Sequence, residues 1–255
     1  MDKTLKRTVG MLGAGAAASA LAWGGYAAIR WSRYGKATRI ARPDPLLDRH
    51  MPAYEVRERH ETRVEAPADV TWASMHDLDL RRSGLVRAIF AGRELLMRAR
   101  PAARREPLRG FMEEVLALGW RVLAEEPGRE IVVGAVTRPW LANPEFRGLT
   151  PEEFAAFNEP GYAQIAWTLA VEPAGEHASL FRTETRVRTT DGNARERFRR
   201  YWAVVSPGVL LIRRESLRLV RREAARRWSR RATGRHEEEG AGPARAVTPG
   251  PGVSL

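Results

Sequence analysis

The 255-residue chain has no cysteine, which excludes disulfides, thiolate metal ligands and thiol catalysis. The absence says nothing of compartment, because a chain without thiols suits an oxidising or a reducing space. Lysine is nearly as scarce: Lys3, Lys6 and Lys36 stand against 40 arginines, a bias we read first as the base composition of the gene. There is no P-loop, no G-x-S-x-G elbow and no internal repeat. The five histidines, His50, His60, His76, His177 and His236, show no HxxxH or HExxH spacing. Asp77-Leu78-Asp79 offers too few carboxylates for a hard-cation site. A G-x-G-x-x-A pattern at Gly13 to Ala18 follows no strand, and Arg33 and Tyr34 occupy the distance where an acidic residue would hold a ribose. The sequence therefore predicts no metal and no cofactor.

Apolar residues make up 44% and charged residues 29%, ordinary globular values that exclude a collagenous or wholly disordered chain. The net charge of +12 is unevenly placed: residues 1–50 and 213–255 carry +6 each, and residues 51–212 carry none. A nucleic-acid-binding domain needs its excess on the folded body. A neutral body with basic ends predicts no nucleic-acid partner and suits membrane-flanking and solvated segments instead.

Thr8 to Ile29 is an uncharged run of 22 residues, with Lys3, Lys6 and Arg7 before it and Arg30, Arg33 and Lys36 after it. As a helix it would span about 33 Å, enough for a bilayer core. It is rich in Ala and Gly and so only weakly apolar. Three readings stay open: an uncleaved single-pass anchor, which gives a membrane localisation and a membrane partner through residues 8–29; an export signal cleaved at Ala18-Ser19-Ala20 or Ala20-Leu21-Ala22; or a soluble helix. The anchor is the expectation adopted, because the run exceeds the apolar core of a signal peptide. Residues 1–42 form this hydrophobic helical segment with its basic flanks, and 43–53, opened by Pro43 and Pro45, is a linker.

From Tyr54 the pattern has period 2. Arg57, Arg59, Glu61 and Arg63 form a charged face expected to be solvated, and Glu58, His60, Thr62 and Val64 form the other. Ala66-Pro67 ends this strand and opens a helix bearing Val70, Trp72 and Leu78; a second helix starts after Ser83, and a third runs from Phe111 to Gly119. Pro127-Gly128 marks a hairpin between strands at 120–125 and 131–138. Residues 163–171 and 179–189 alternate as two further strands. Between these pairs lies an insertion, Pro139 to Pro160, in which Thr150-Pro151-Glu152-Glu153 is a capping box. Helices follow at 194–204 and from Ser206-Pro207 to about Arg231, and residues 233–255, rich in Pro and Gly towards the end, are expected to be a disordered tail. Strands bracketed by helices give an α+β class with an antiparallel sheet.

The stretch Val64 to Leu80, VEAPADVTWASMHDLDL, resembles the opening of the START-like or Bet v 1-like superfamily, the polyketide cyclase and lipid-transport group, through Ala66, Pro67, Trp72 and Asp77. Thr71 stands where an aliphatic residue is usual. Phe198 to Arg214 resembles the group's last helix. The resemblance covers about residues 54–230 and implies a helix-grip fold over 54–232: a curved antiparallel sheet wrapped around a long C-terminal helix, enclosing an apolar cavity. It is nearly silent on activity, since the group includes carriers, cyclases and partners without catalysis.

On that fold Glu58, His60 and Thr62 share the inward face of the first strand, with Thr183 and Thr185 on the corresponding face of the last. Same-face positions about 7 Å apart would let a carboxylate and an imidazole reach one ligand. Glu58 and His60 are thus weak candidates for acid–base chemistry, set against a position at the sheet rim; no residue is assigned as catalytic. Trp167 and Phe181, like Trp72, Trp120 and Trp202, fall at core-periodic positions that a cavity would also use. The expected function is a membrane-tethered carrier or binding domain for an apolar small molecule such as a lipid, isoprenoid or polyketide, contacted by Glu58, His60, Thr62, Trp167, Phe181, Thr183 and Thr185. A cyclase or dehydratase acting on a similar ligand, and a protein-interaction module, are the alternatives.

Overall fold

The computed structural model describes residues 21–29, 31, 32, 34, 43–80, 83–97 and 110–240. Most of the uncharged run, 8–20, and the tail beyond 240 lie outside the described residues. Helix α1 covers residues 21–29, and the chain resumes at α2, Pro45–His50. Strand β1, Val56–Val64, leads into α3, Ala68–His76, α4, Gly84–Met97, and α5, Phe111–Ala117. The hairpin β2, Arg121–Glu126, and β3, Glu130–Thr137, follows, then the two-residue strand β4, Phe146–Arg147, and α6, Pro151–Ala156. Long strands β5, Ala163–Pro173, and β6, Ser179–Thr189, precede helix α7, Gly192–Gly240.

All pairings are antiparallel, in the order β1-β6-β5-β3-β2, with β4 on β3. The protein is α+β with a helix-grip arrangement: the sheet holds α7 against one face, and α3 packs on both. The sequence supplies the punctuation. The turn of the β2–β3 hairpin passes through Gly128, at φ +77°. At Gly119, φ +99°, a side chain would strike the Phe146 carbonyl, so only glycine lets β4 close over the start of β2. In α6 the capping box forms as read, with Thr150 Oγ1 accepting from Glu153 N at 3.2 Å and Glu153 accepting from Thr150 N at 2.9 Å. Asp191 caps α7 by accepting from Ala194 N at 2.8 Å, and this and the Gly161 amide hold its carboxyl below the usual range.

Three expectations change. Residues 43–53 contain a packed helix where a linker was expected. Asp44 caps it, accepting from Leu47 N at 3.0 Å, Pro45 fills its first turn, and Leu46, Leu47 and Met51 are buried against the convex face of the sheet with Phe154. The charged face of β1 is covered at one end only, and Glu61 and Arg63 stay exposed as expected. Arg57 and Arg59 do not sit in water but pair at 2.8 and 3.5 Å with Glu184, which is wholly buried. The last two helices are one, because Pro207 is accommodated within α7. There α4 crosses so closely that a side chain on Gly208 would meet Ile89 at 3.0 Å, and Trp23 of α1 donates to the Val204 carbonyl at 3.1 Å.

Candidate functional site

The register fixes which side chains face α7. Opposite residues of an antiparallel pair share a face, so Glu58, His60 and Thr62 of β1 lie on the same side as their partners Thr185, Thr183 and Phe181 of β6, and these with Trp167, Leu169 and Val171 of β5. Between this face and the helices lies a cavity of about 350 Å³. Its floor is Ile165, Trp167, Leu169, Phe181, Thr183 and Thr185. Its roof is α7, through Phe198, Trp202, Val209, Arg213 and Leu217, and Phe90 of α4, half exposed, stands at its edge.

Aromatic rings close the ends. Trp120 stacks on Phe146 with centroids 5.0 Å apart and meets Trp167 edge-on at 5.9 Å, with Phe111 against Trp167. On the α7 side Phe198 stacks on Trp202 at 5.7 Å and tilts against Tyr201, whose phenol pKa is pushed up by burial. Such walls bury a flat or branched hydrocarbon without demanding polar partners from it. The hydroxyls of Thr183 and Thr185 are polar points on the floor.

Of the predicted ligand residues, Trp167, Phe181, Thr183 and Thr185 line the cavity. Glu58, His60 and Thr62 face the same side of the sheet but do not line the cavity; β1 is the edge strand and packs against α7. Glu58 and His60 approach each other, with carboxylate and imidazole 3.9 Å apart. Among the described residues no three His, Asp or Glu gather as a metal-ligand set, and Asp77 pairs with Arg227 at 2.8 Å.

The sequence reading missed Arg213, the one charged side chain lining the cavity among the described residues. Its Nη1 donates to the Glu58 carbonyl at 3.4 Å, a long contact, and its buried Nε has no partner. Burial, opposed by the Glu184 charge on the far face of the sheet, lowers its pKa to about 10. The signal was present as a stripe: Trp202, Ser206, Val209, Arg213, Leu217, Val220 and Ala224 recur at three- and four-residue spacing, and an arginine sits in an otherwise uncharged series.

No family model matches the chain, and no curated protein matches it. Similar solved structures include a conserved protein from Geobacillus kaustophilus, 10% identical over 67% of this chain and 96% of that one, with a TM-score of 0.32. A truncated norcoclaurine synthase from Thalictrum flavum is 13% identical over 64% and 90%, TM-score 0.32. The Zhui aromatase/cyclase from Streptomyces sp. R1128 is 15% identical over 68% and 94%, TM-score 0.25. At such identities and TM-scores these likenesses say nothing of ligand or activity.

Proposed function

We propose that the protein binds an apolar small molecule in the cavity between the sheet and α7, as a carrier or binding domain. The observation that carries this reading is the void itself. A core of this size packs to near-crystalline density, yet some 350 Å³ between Trp167, Phe181, Trp202 and Leu217 is left unfilled, a volume suited to a ligand of modest size. Native mass spectrometry of the full-length chain should show a co-purified small molecule. The cavity-filling variant Thr185→Trp should lose it while remaining folded. An unchanged ligand population in that variant would remove the cavity as the binding site.

The reading includes a membrane tether through residues 8–29, proposed on the uncharged run with basic flanks. No helix among the described residues is long and apolar enough to cross a membrane. Support comes from apolar side chains left in solvent: Leu21 and Ile29 on α1, and Leu85, Phe90, Leu95 and Leu96 on α4, with Phe90 at the cavity edge. A ligand leaving past Phe90 would then meet lipid rather than water. Full-length protein should remain with the membrane fraction after a carbonate wash, and recovery of the intact chain in the supernatant would refute the tether.

A further inference from the structure

Arg213 is the anomaly of the cavity. Elsewhere in the sheet region buried arginines have charged or polar side-chain partners, although Arg182 too has an Nε without a hydrogen bond. Arg186 bonds Glu184 at 2.8 Å, Asp48 at 2.6 Å and the Met51 carbonyl at 2.8 Å. Arg182 pairs with Asp44 and with Glu130 at 3.4 Å. Arg188 donates to Gln164 at 2.6 Å and to the Phe157 carbonyl at 3.0 Å. Arg213 has one long bond to a carbonyl, a buried Nε with no partner, and no ion pair among the described residues.

An unpaired guanidinium against apolar walls is expensive, because burial removes its hydration and supplies nothing in return. The lowered pKa, caused first by that burial, registers the same cost. On packing grounds Met or Leu would suit the stripe between Val209 and Leu217. The fork is also oriented. Nη1 is turned to the Glu58 carbonyl, and Glu58 pairs with Thr185 across β1 and β6, so the guanidinium meets the sheet at the level of the Thr185 hydroxyl on the cavity floor. The Nε edge that remains is one of the two edges with which arginine takes a carboxylate bidentately.

We propose that the cavity selects apolar acids: ligands with a hydrocarbon body seated among Trp167, Phe181 and Trp202, and one carboxylate held by the Nε edge of Arg213. The inference rests on the cavity-binding reading above and specifies its ligand class. The charge of the ligand completes an ion pair that the folded chain leaves half made. The Nε that forms it is buried, so the pair is worth more than an exposed one and is less screened by salt.

The test uses 2-anthracenecarboxylate and its methyl ester, titrated by fluorescence into the full-length protein at neutral pH. The acid is expected to bind about tenfold or more tightly than the ester, the ratio a charge-assisted hydrogen bond in a dry site supplies. Arg213→Met should abolish that preference, and Arg213→Lys should retain part of it. The Met variant should also melt no lower than wild type, because it removes an uncompensated buried charge. Equal binding of acid and ester by wild type overturns the inference, as does a preference that survives in Arg213→Met. A marked fall in the melting temperature of that variant would make Arg213 a structural residue and overturn it too. If the ester binds and the acid does not, the ligand class is wrong while the cavity stands. If neither probe binds, the cavity reading fails and takes the inference with it.

Discussion

The two faces of the sheet carry the same kind of residue to opposite ends. On the convex face Arg57, Arg59, Arg182, Arg186 and Arg188 meet Glu184, Glu130, Asp44 and Gln164, and α2 and α6 close over them. Each buried charge there has a counter-charge or hydrogen-bond partner within reach. Glu130 shows the residual cost: burial raises its carboxyl pKa although Thr168 donates to it at 2.7 Å. On the concave face there is a cavity, and in its lining, among the described residues, a single cation whose Nε has no partner. Where a protein balances every charge on one side of a sheet and leaves one open on the other, the balanced side is structure and the open one is available to a ligand.

The sharpest way to break that comparison is Glu184→Gln. Glu184 is wholly buried and bonds Arg57 at 2.8 and 2.9 Å and Arg186 at 2.8 Å, with Arg59 at 3.5 Å. Removing its charge leaves three neighbouring guanidiniums without the carboxylate they share, although Arg186 keeps Asp48 and Arg59 keeps Glu61. Loss of one partner of a buried charge cluster costs about 3–5 kcal/mol, so urea unfolding should show a drop of that order, with the acid preference of the cavity intact in the folded fraction. A drop under about 1 kcal/mol would mean that the convex face is wetter than its burial implies.

How far the sequence carried this picture can be judged from those residues. The alternation of β1 was legible, and the register confirms that Glu58, His60 and Thr62 share a face with Phe181, Thr183 and Thr185. The environment of the other face was not. Arg59, expected in water, pairs with Glu184 because a helix covers the sheet, and period-2 charge reads the same whether its far side meets solvent or a second layer. The covering helix had a signal, Asp44 as cap and Pro45 at its first position ahead of Leu46-Leu47, which the reading of 43–53 as a linker passed over. The aromatic walls were legible as apolar positions but not as walls, since a void is a property of packing among distant segments. Arg213 lay hidden in number. Among the many arginines of α7 only its place on the apolar stripe distinguishes it, and that stripe became one uninterrupted line only once Pro207 proved to sit inside the helix.

The smallest effect expected is at Glu58 and His60, and it separates binding from acid–base chemistry. For the pair to act on a ligand, its carboxylate and imidazole would have to reach the reacting atoms within hydrogen-bond distance. They lie on the edge strand, they do not line the cavity, and the polar atom that Glu58 offers to the site is its backbone carbonyl, used by Arg213. Neither Glu58→Gln nor His60→Gln alters that carbonyl. Both variants should therefore bind 2-anthracenecarboxylate within about twofold of wild type, a change of less than 0.5 kcal/mol, while Arg213→Met loses about tenfold or more. The comparison is made in one titration series, with a thermal melt to separate misfolding from lost contact. A loss at Glu58 or His60 that matches the loss at Arg213, in variants that melt like wild type, would place their side chains at the ligand and return the acid–base pair to consideration. A loss confined to Arg213 would leave a site with a cation to orient an acid and no role in it for the Glu58 and His60 side chains.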